Sequence, residues 1–528
     1  MSDRRRFRTG PILGLLLFTA LFVLPVGWFL LGAFASHASG AISYAAVRNS
    51  VLIGITVSLL SVLPGLAIAW LSDRRRFPLR SMISPMIWTL FLFPSYLFTT
   101  GWQIVMEMPL LRETLWARLF NGIPGIVFLL TMKGLPFAYF ASLAAWRMLG
   151  NDVFEALALS PMSKQRVARI VGTLLLPAAA AAFVVVFVET IQEFGIPATL
   201  GASIHLPIVT YAIYMQLASA PPDFHAAALL SLPLVGLAVM AASAQVLIHR
   251  RYSVAVQDAR SRIMEPSILA GAARILAPLG IGSLALLGVC LPLGGILYAA
   301  TGAAVGTAGD VAAWSSLLNS LCYAMLGAGL ALAGVFIIWP ALRMRHTWYG
   351  QVVNMLTLVN MAIPGVVLGA AYLIVFNGGP LSLYGTPLLL VLAYGAAQVP
   401  MLLRLLQAPL SQVHRNLYEA ALLHVPDAAA RIAEVRLPLL AGPLAWGYGL
   451  AFGAIFFELP ISELLYPPGR PAFGVSIVSL NQALDYTQAA RLGLAAMGIL
   501  LLLGLGAFSG MRLSHAVTRK FNDVPVAI

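Results

Sequence analysis

Twelve apolar runs, separated by short bursts of arginine, limit what this chain can fold into more than any other feature. They cover approximately 11–34, 51–71, 82–105, 123–146, 171–196, 225–248, 271–298, 313–341, 352–376, 386–406, 437–465 and 489–511. A helix rises about 1.5 Å per residue, so about 20 apolar residues cross a hydrocarbon core of roughly 30 Å. Charged residues make up only 10% of the 528 and apolar residues 60%. Average soluble proteins have about 25% and about 45–50%. So few charges cannot coat a soluble protein of this size. Disordered chains are poor in apolar residues, and the 46 Gly and 33 Pro show no triplet period. The pattern predicts an all-α polytopic membrane protein.

The net charge is +13, and the only lysines are Lys133, Lys164 and Lys520. A nucleic-acid binder would line one soluble face with its arginines. Here they sit between apolar runs, as the positive-inside rule predicts for cytoplasmic loops. With the first helix running inside to outside, 26 of the 32 Lys and Arg fall in the cytoplasm and five outside, and Lys133 lies within a span. That sorting predicts twelve spans with both termini cytoplasmic. The first apolar run could pass for a signal peptide, with Ala33-Phe34-Ala35 as its cleavage site. It exceeds the roughly 7–15 residues of a signal core and reads as an uncleaved first helix. Cys290 and Cys322 lie in apolar stretches, and the eight His form no cluster with ligand spacing.

The longest polar stretch, Arg250 to about Ala270, divides the chain. Around it, Gly134-Leu135-Pro136 through Phe154-Glu155-Ala156 matches Gln398-Val399-Pro400 through Tyr418-Glu419-Ala420 at a constant offset of 264. Asn49-Ser50 and Asn319-Ser320 open a helix in each half at an offset of 270. Residues 1–250 and 271–528 thus read as parallel six-helix repeats joined by a cytoplasmic linker at 251–270, with a path between them.

Two cytoplasmic loops differ from the rest. One runs from Asn151 through Glu155-Ala156-Leu157; the other runs from Leu417 through Glu419-Ala420-Ala421 to Val435-Arg436-Leu437-Pro438. They are too polar to span and rich in helix formers, and Pro426-Asp427 can open a second short helix. Such helices could simply cap the bundle or could dock a partner. The pattern Glu-Ala-Ala, three residues, Gly, nine residues, Ile, one residue, Leu-Pro marks the membrane permeases of binding-protein-dependent ABC importers, and this chain resembles them. Glu419, Ala420, Ala421, Val435, Leu437 and Pro438 match, with Val425 at the Gly place. In the first half Glu155, Ala156 and Leu157 fit, Pro161 replaces Gly, and Leu176-Pro177 comes three residues late. Ile363-Pro364-Gly365-Val366-Val367-Leu368-Gly369, Glu193-Phe194-Gly195-Ile196-Pro197 and Glu458-Leu459-Pro460 further resemble fused, two-repeat permeases of the ferric-iron type. Thiamine, polyamine and aminophosphonate permeases are similar. Ile461-Ser462-Glu463 departs from the Ala-Thr-Leu common in the iron group.

The resemblance implies a type I ABC importer permease in the bacterial inner membrane. Its partners would be two copies of an ATPase subunit, which receive the Glu155 and Glu419 segments, and a periplasmic solute-binding protein. ATP would be used by the partner, with no cofactor bound by this chain. The residues before the three lysines are Met132, Ser163 and Arg519, so no Gly-Lys-Ser/Thr phosphate loop exists here.

Charges at membrane depth are costly and are functional candidates. Lys133, Glu189, Glu193, Glu458 and Glu463 qualify, and Glu189 and Glu193 share one helix face. The four carboxylates could line a path for a cation such as ferric iron, an ammonium or a thiazolium. Alternatively Lys133 pairs with Glu189 or Glu193, while Glu458 and Glu463 reach the outer interface. A major-facilitator transporter also has six plus six helices, and Ser72-Asp73-Arg74-Arg75-Arg76 vaguely resembles its Asp-Arg loop. That class lacks a reason for the two Glu-Ala loops. A membrane enzyme lacks a cluster of His, Cys or acids.

Overall fold

The computed structural model describes residues 11–34, 43–148, 157, 159–252, 266–302, 308–343, 347–378, 382–412, 427, 430 and 437–522. Among them, ten helices are long and apolar enough to cross a membrane, and two bent pairs raise the number to twelve if each pair is one span. The chain is an all-α polytopic membrane protein.

The first half contains α1 (Pro11–Phe34), α2 (Tyr44–Arg74), α3 (Arg80–Leu92), α4 (Ser95–Glu107) and α5 (Leu115–Phe120). It continues with α6 (Ile123–Met148), α7 (Lys164–Gln192), α8 (Val209–Ala218) and α9 (Phe224–Tyr252). The second half repeats the order with α10 (Ala273–Ala300), α11 (Ala308–Arg343), α12 (Trp348–Met361), α13 (Gly365–Phe376) and α14 (Pro387–Gln412). It ends with α15 (Leu437–Phe456), α16 (Pro460–Leu465), α17 (Phe473–Gln482) and α18 (Tyr486–Asn522). Helices α2, α6 and α7 pack on one another, as do α11, α14 and α15.

Two of the twelve runs are broken. The chain turns by 103° between α3 and α4, and by 108° between α12 and α13. Pro94 and Pro364 sit at these breaks. Proline offers no N–H to the preceding turn and pushes its predecessor out of the helical region, so the helix ends there.

The first helix of each half leans on the other half. Helix α1 packs on α13, and α10 packs on α4. Each contains a π-helical turn just before a proline: Thr19–Val23 before Pro25, and Leu286–Cys290 before Pro292. The missing proline N–H loosens the i→i−4 ladder and permits the extra residue. The α10–α4 contact is close because Gly101 meets the Pro292 carbonyl, and a Cβ on Gly295 would lie 2.6 Å from the Gly101 oxygen. On the other side, Tyr372 Oη donates to the Leu21 carbonyl in the π turn of α1 (2.9 Å). An α/β pattern is absent among the described residues except for one parallel pairing, Arg75–Arg76 with Ser267–Ile268. That pairing ties the α2–α3 connection to the residues preceding α10.

Asn49-Ser50 and Asn319-Ser320 lie inside α2 and α11, not at their first residues. They perform the same task in each half. Asn49 Nδ2 donates to Pro207 O (3.1 Å), and Ser50 Oγ accepts from Val209 N (3.0 Å). Asn319 Nδ2 donates to Pro471 O (3.2 Å), and Ser320 Oγ accepts from Phe473 N (2.7 Å). Each pair pins the extended residues that lead into α8 or α17, and so fixes those short helices beside the seam between the halves.

Candidate functional site

A cavity of about 260 Å³ opens where the two halves meet, lined from the first half by Tyr96, Glu189, Gln192 and Glu193 and from the second by Glu458 and Leu459. At roughly 30 Å³ per water it holds several waters or one small solute. Among the described residues the lining contains no Lys, Arg or His.

Helix breaks build this cavity. A broken helix leaves carbonyls unpaired at its end and N–H groups unpaired at the next start. At the end of α3 the carbonyls of Leu90 (2.7 Å), Phe91 (3.4 Å) and Phe93 (2.5 Å) accept from Lys133 Nζ, which α6 supplies. The ammonium is thus occupied by backbone, and among the described residues no ion pair joins it to Glu189 or Glu193. The second half has Ala397 where the offset of 264 places Lys133. There, Gln192 reaches across the seam, and its Nε2 donates to Ala362 O at the end of α12 (3.1 Å).

Glu193 and Glu458 occupy corresponding places, just past the ends of α7 and α15. Glu193 Oε1 accepts from Ser95 Oγ (2.6 Å) and Gly195 N (2.8 Å). The absence of a side chain at Gly195 is required here, because a Cβ would strike Ser95 Oγ. Glu458 uses both oxygens: Oε1 accepts from Ile461 N (2.7 Å), and Oε2 accepts from Ser462 N (3.0 Å) and Ser462 Oγ (2.8 Å). The first half cannot copy this. Pro197 stands where Ser462 does and offers no N–H.

Glu189 differs from both. Its side chain reaches the cavity with accessible surface and accepts no hydrogen bond among the described residues. Tyr96 is 2% exposed, lines the same cavity, and its hydroxyl has no hydrogen-bond partner among the described residues. Glu463 does not line the cavity; it lies on α16, which packs on α8. The structure therefore brings Glu189, Glu193 and Glu458 together, places Lys133 off the lining but within electrostatic reach of Glu189 and Glu193, and leaves Glu463 to the side. Among the described residues no three of His, Cys, Asp and Glu converge closely enough to hold a metal ion.

Of the loop residues singled out from sequence, Leu157, Leu437 and Pro438 are described. Glu155, Ala156, Glu419, Ala420, Ala421 and Val435 lie outside the described residues. The capping tasks of Lys133, Glu193 and Glu458, and the roles of Tyr96 and Gln192, escaped the sequence reading. The signal available for them was a proline inside an apolar run at corresponding positions of the two halves, Pro94 and Pro364.

Residues 325–521 match the family described as binding-protein-dependent transport system inner membrane component. Among similar proteins, one of Haemophilus influenzae named for ferric transport is 28% identical over 289 residues, 52% of this chain and 45% of the relative. The ferric transport system permease protein FbpB of Actinobacillus pleuropneumoniae is 26% identical over 286 residues, 51% of this chain and 41% of its own length. A Salmonella typhimurium permease named for 2-aminoethylphosphonate transport is 28% identical over 196 residues, 36% of this chain and 72% of the relative. The matched region spans less than half the length of the two ferric relatives. No solved structure matches the chain.

Proposed function

We propose that this chain is the translocation subunit of an ABC importer, and that the solute crossing it is a cation, ferric iron foremost. The carrying observation is the cavity between the halves, with three carboxylates and no basic group in its lining. Carboxylate oxygens suit hard cations. A phosphonate dianion entering the same space would meet like charge, at a cost that rises as water is excluded. The ferric relatives support the choice of iron, and polyamine or thiamine cations would satisfy the same electrostatics.

In this reading residues 1–250 and 271–528 are the two permease repeats and 251–270 the linker between them. Both termini face the cytoplasm of a bacterial inner membrane. Two ATPase subunits bind the segments around Glu155 and Glu419, a periplasmic binding protein delivers the solute, and ATP is hydrolysed on the partner. Nucleotide shifts the halves between inward- and outward-open states only through its differential affinity for the two.

The test is ATP-driven uptake of radiolabelled ferric iron by proteoliposomes holding the complete complex. Accumulation that survives excess 2-aminoethylphosphonate or spermidine supports the reading. Failure to accumulate iron, with accumulation of either competitor, overturns the choice of iron. Glu419→Lys should leave the protein in the membrane and uncouple hydrolysis from uptake, and normal uptake would remove the coupling role from that segment.

A further inference from the structure

The two halves meet along two equivalent seams. In one, α4 packs on α17; in the other, α13 packs on α8. The offset of 270 that relates Pro94 to Pro364, and the offset of 264 that relates Val209 to Phe473, pair these seams residue by residue. The first seam carries Tyr96, Thr100 and Gln103 on α4 and Asn481 on α17, all buried. The second carries Val366, Ala370, Leu373 and Leu217 at the matching places, equally buried. Apolar side chains therefore suffice to pack such a seam, and the polar set of the first needs another explanation.

Their arrangement supplies one. Tyr96, Thr100 and Gln103 follow at helical spacing and share one face of α4, and the exposed Glu107 ends the row. Gly101 and Val105, on the opposite face, meet α10. The row starts at the carboxylate cavity, which Tyr96 lines. From there to Glu107 the helix rises about 16 Å, roughly half the hydrocarbon core. One bond crosses the seam on this face. Asn481 Nδ2 donates to Thr100 Oγ1 (2.6 Å), whose own proton goes to the Tyr96 carbonyl (2.9 Å). Asn481 Oδ1, Gln103 Oε1 and the Tyr96 hydroxyl are left without hydrogen-bond partners among the described residues. Burying polar groups unpaired is costly, and native proteins keep few of them without a use.

We infer that this face of α4, against α17, is the outer part of the translocation path, and that the Thr100–Asn481 bond closes it in this conformation. The inference rests on the proposed cation transport and adds the route by which the solute reaches the cavity. In the proposed orientation Glu107 stands at the outer end of the row. The Asn481 amide nitrogen is committed to Thr100, so that side chain has only an acceptor left for a solute, and Gln103 Oε1 is a second acceptor. Such oxygens receive the O–H or N–H groups that a hydrated cation or an ammonium carries, and they give nothing to an anion. Rocking of one half against the other has a single neutral side-chain bond to break here. The α8–α13 seam offers no such groups at the matching places, so the path is one-sided.

The experiment places one cysteine in each seam, Gln103→Cys or Leu373→Cys, after Cys290 and Cys322 are replaced by alanine. Proteoliposomes that hold the complete complex and enclose ATP receive a membrane-impermeant, cationic methanethiosulfonate from outside. A minor state is typically populated at about 0.1–10%. Labelling at position 103 should therefore rise by about tenfold or more when ATP turnover makes the outward-open state dominant, while position 373 stays unlabelled. Equal labelling of the two positions, or none at 103 during turnover, overturns the path. A second variant, Gln103→Leu/Asn481→Leu, gives the first seam the side chains of the other. It removes unpaired groups, so the unfolding midpoint should hold or rise, while uptake should fall by about tenfold because the solute meets an apolar wall. Normal uptake, or a midpoint that falls with it, overturns the path as well. Iron uptake by the Gln103→Cys preparation before labelling separates the two claims. Uptake without labelling removes the α4–α17 path and leaves the cation reading, whereas labelling without iron uptake does the reverse.

Discussion

The break between α3 and α4 and the break between α12 and α13 have nearly the same angle, yet different chemistry holds them. At the first, one lysine from within the same half covers three carbonyls. At the second, an amide borrowed from the other half covers one. Backbone geometry thus tolerates exchange of the capping group, provided the exposed peptide groups find a partner where no water supplies one. The first break is internally closed. The second depends on the seam, so separation of the halves would release it first. This asymmetry makes Lys133→Met the most damaging change expected in the region. Charge-assisted hydrogen bonds contribute about 1.5–3 kcal/mol each, and several are lost together. A destabilisation of about 3 kcal/mol or more, read by thermal unfolding in detergent, is expected. A loss below about 1 kcal/mol would mean the α3 carbonyls have another partner.

The two capping carboxylates sharpen the same comparison. Glu458 employs both oxygens, so Glu458→Gln points an amide NH₂ at a donor and should cost about 2–3 kcal/mol. Gln192→Ala removes the cross-seam donor and should cost about 1 kcal/mol. Glu193 accepts both of its bonds through a single oxygen, which a glutamine retains. Glu193→Gln therefore loses only the charge contribution and should cost less than about 1 kcal/mol. Equal effects of the Glu193 and Glu458 changes, measured in the same unfolding assay, would break the argument that the two halves cap their helices differently.

Much of this architecture was legible in the sequence because membrane insertion leaves a coarse record. Apolar length and arginine placement report spans, and Asn49-Ser50 with Asn319-Ser320 reported matching places in the two halves before their hydrogen bonds were known. The breaks were not legible. A run such as 82–105 has the same hydropathy straight or bent, and Pro94 alone does not decide it, since Pro64, Pro136 and Pro177 lie inside unbroken helices. The difference is a tertiary partner: Lys133, some 40 residues along the chain, covers the carbonyls that the bend exposes. The leaning of α1 and α10 on the opposite halves was hidden for the same reason, as were the roles within the carboxylate set. Glu189, Glu193 and Glu458 look alike in sequence, and only the donors around them separate two caps from one unengaged group.

That separation leads to the smallest expected effect on stability and the most selective one on transport. Glu189 makes no hydrogen bond among the described residues, so Glu189→Gln removes none and gives up only its electrostatic interaction with Lys133 and Glu193. It should change the unfolding midpoint by no more than a surface substitution does, within about 0.5 kcal/mol. If the cavity attracts its cation through this group, the same change should lower the rate of iron uptake by about tenfold, equivalent to about 1.4 kcal/mol of lost attraction. ATP hydrolysis by the complex should persist, because the segments expected to meet the ATPase are untouched. Glu189→Asp, which restores the charge on a shorter stem, should recover part of the rate. The comparison with Glu193→Gln is decisive, since Glu189 on α7 and Glu193 just past its end line one cavity. If the two variants transport equally well, the charge at position 189 is not what draws the cation in. If Glu193→Gln alone is impaired, the capped carboxylate rather than the unengaged one carries the path.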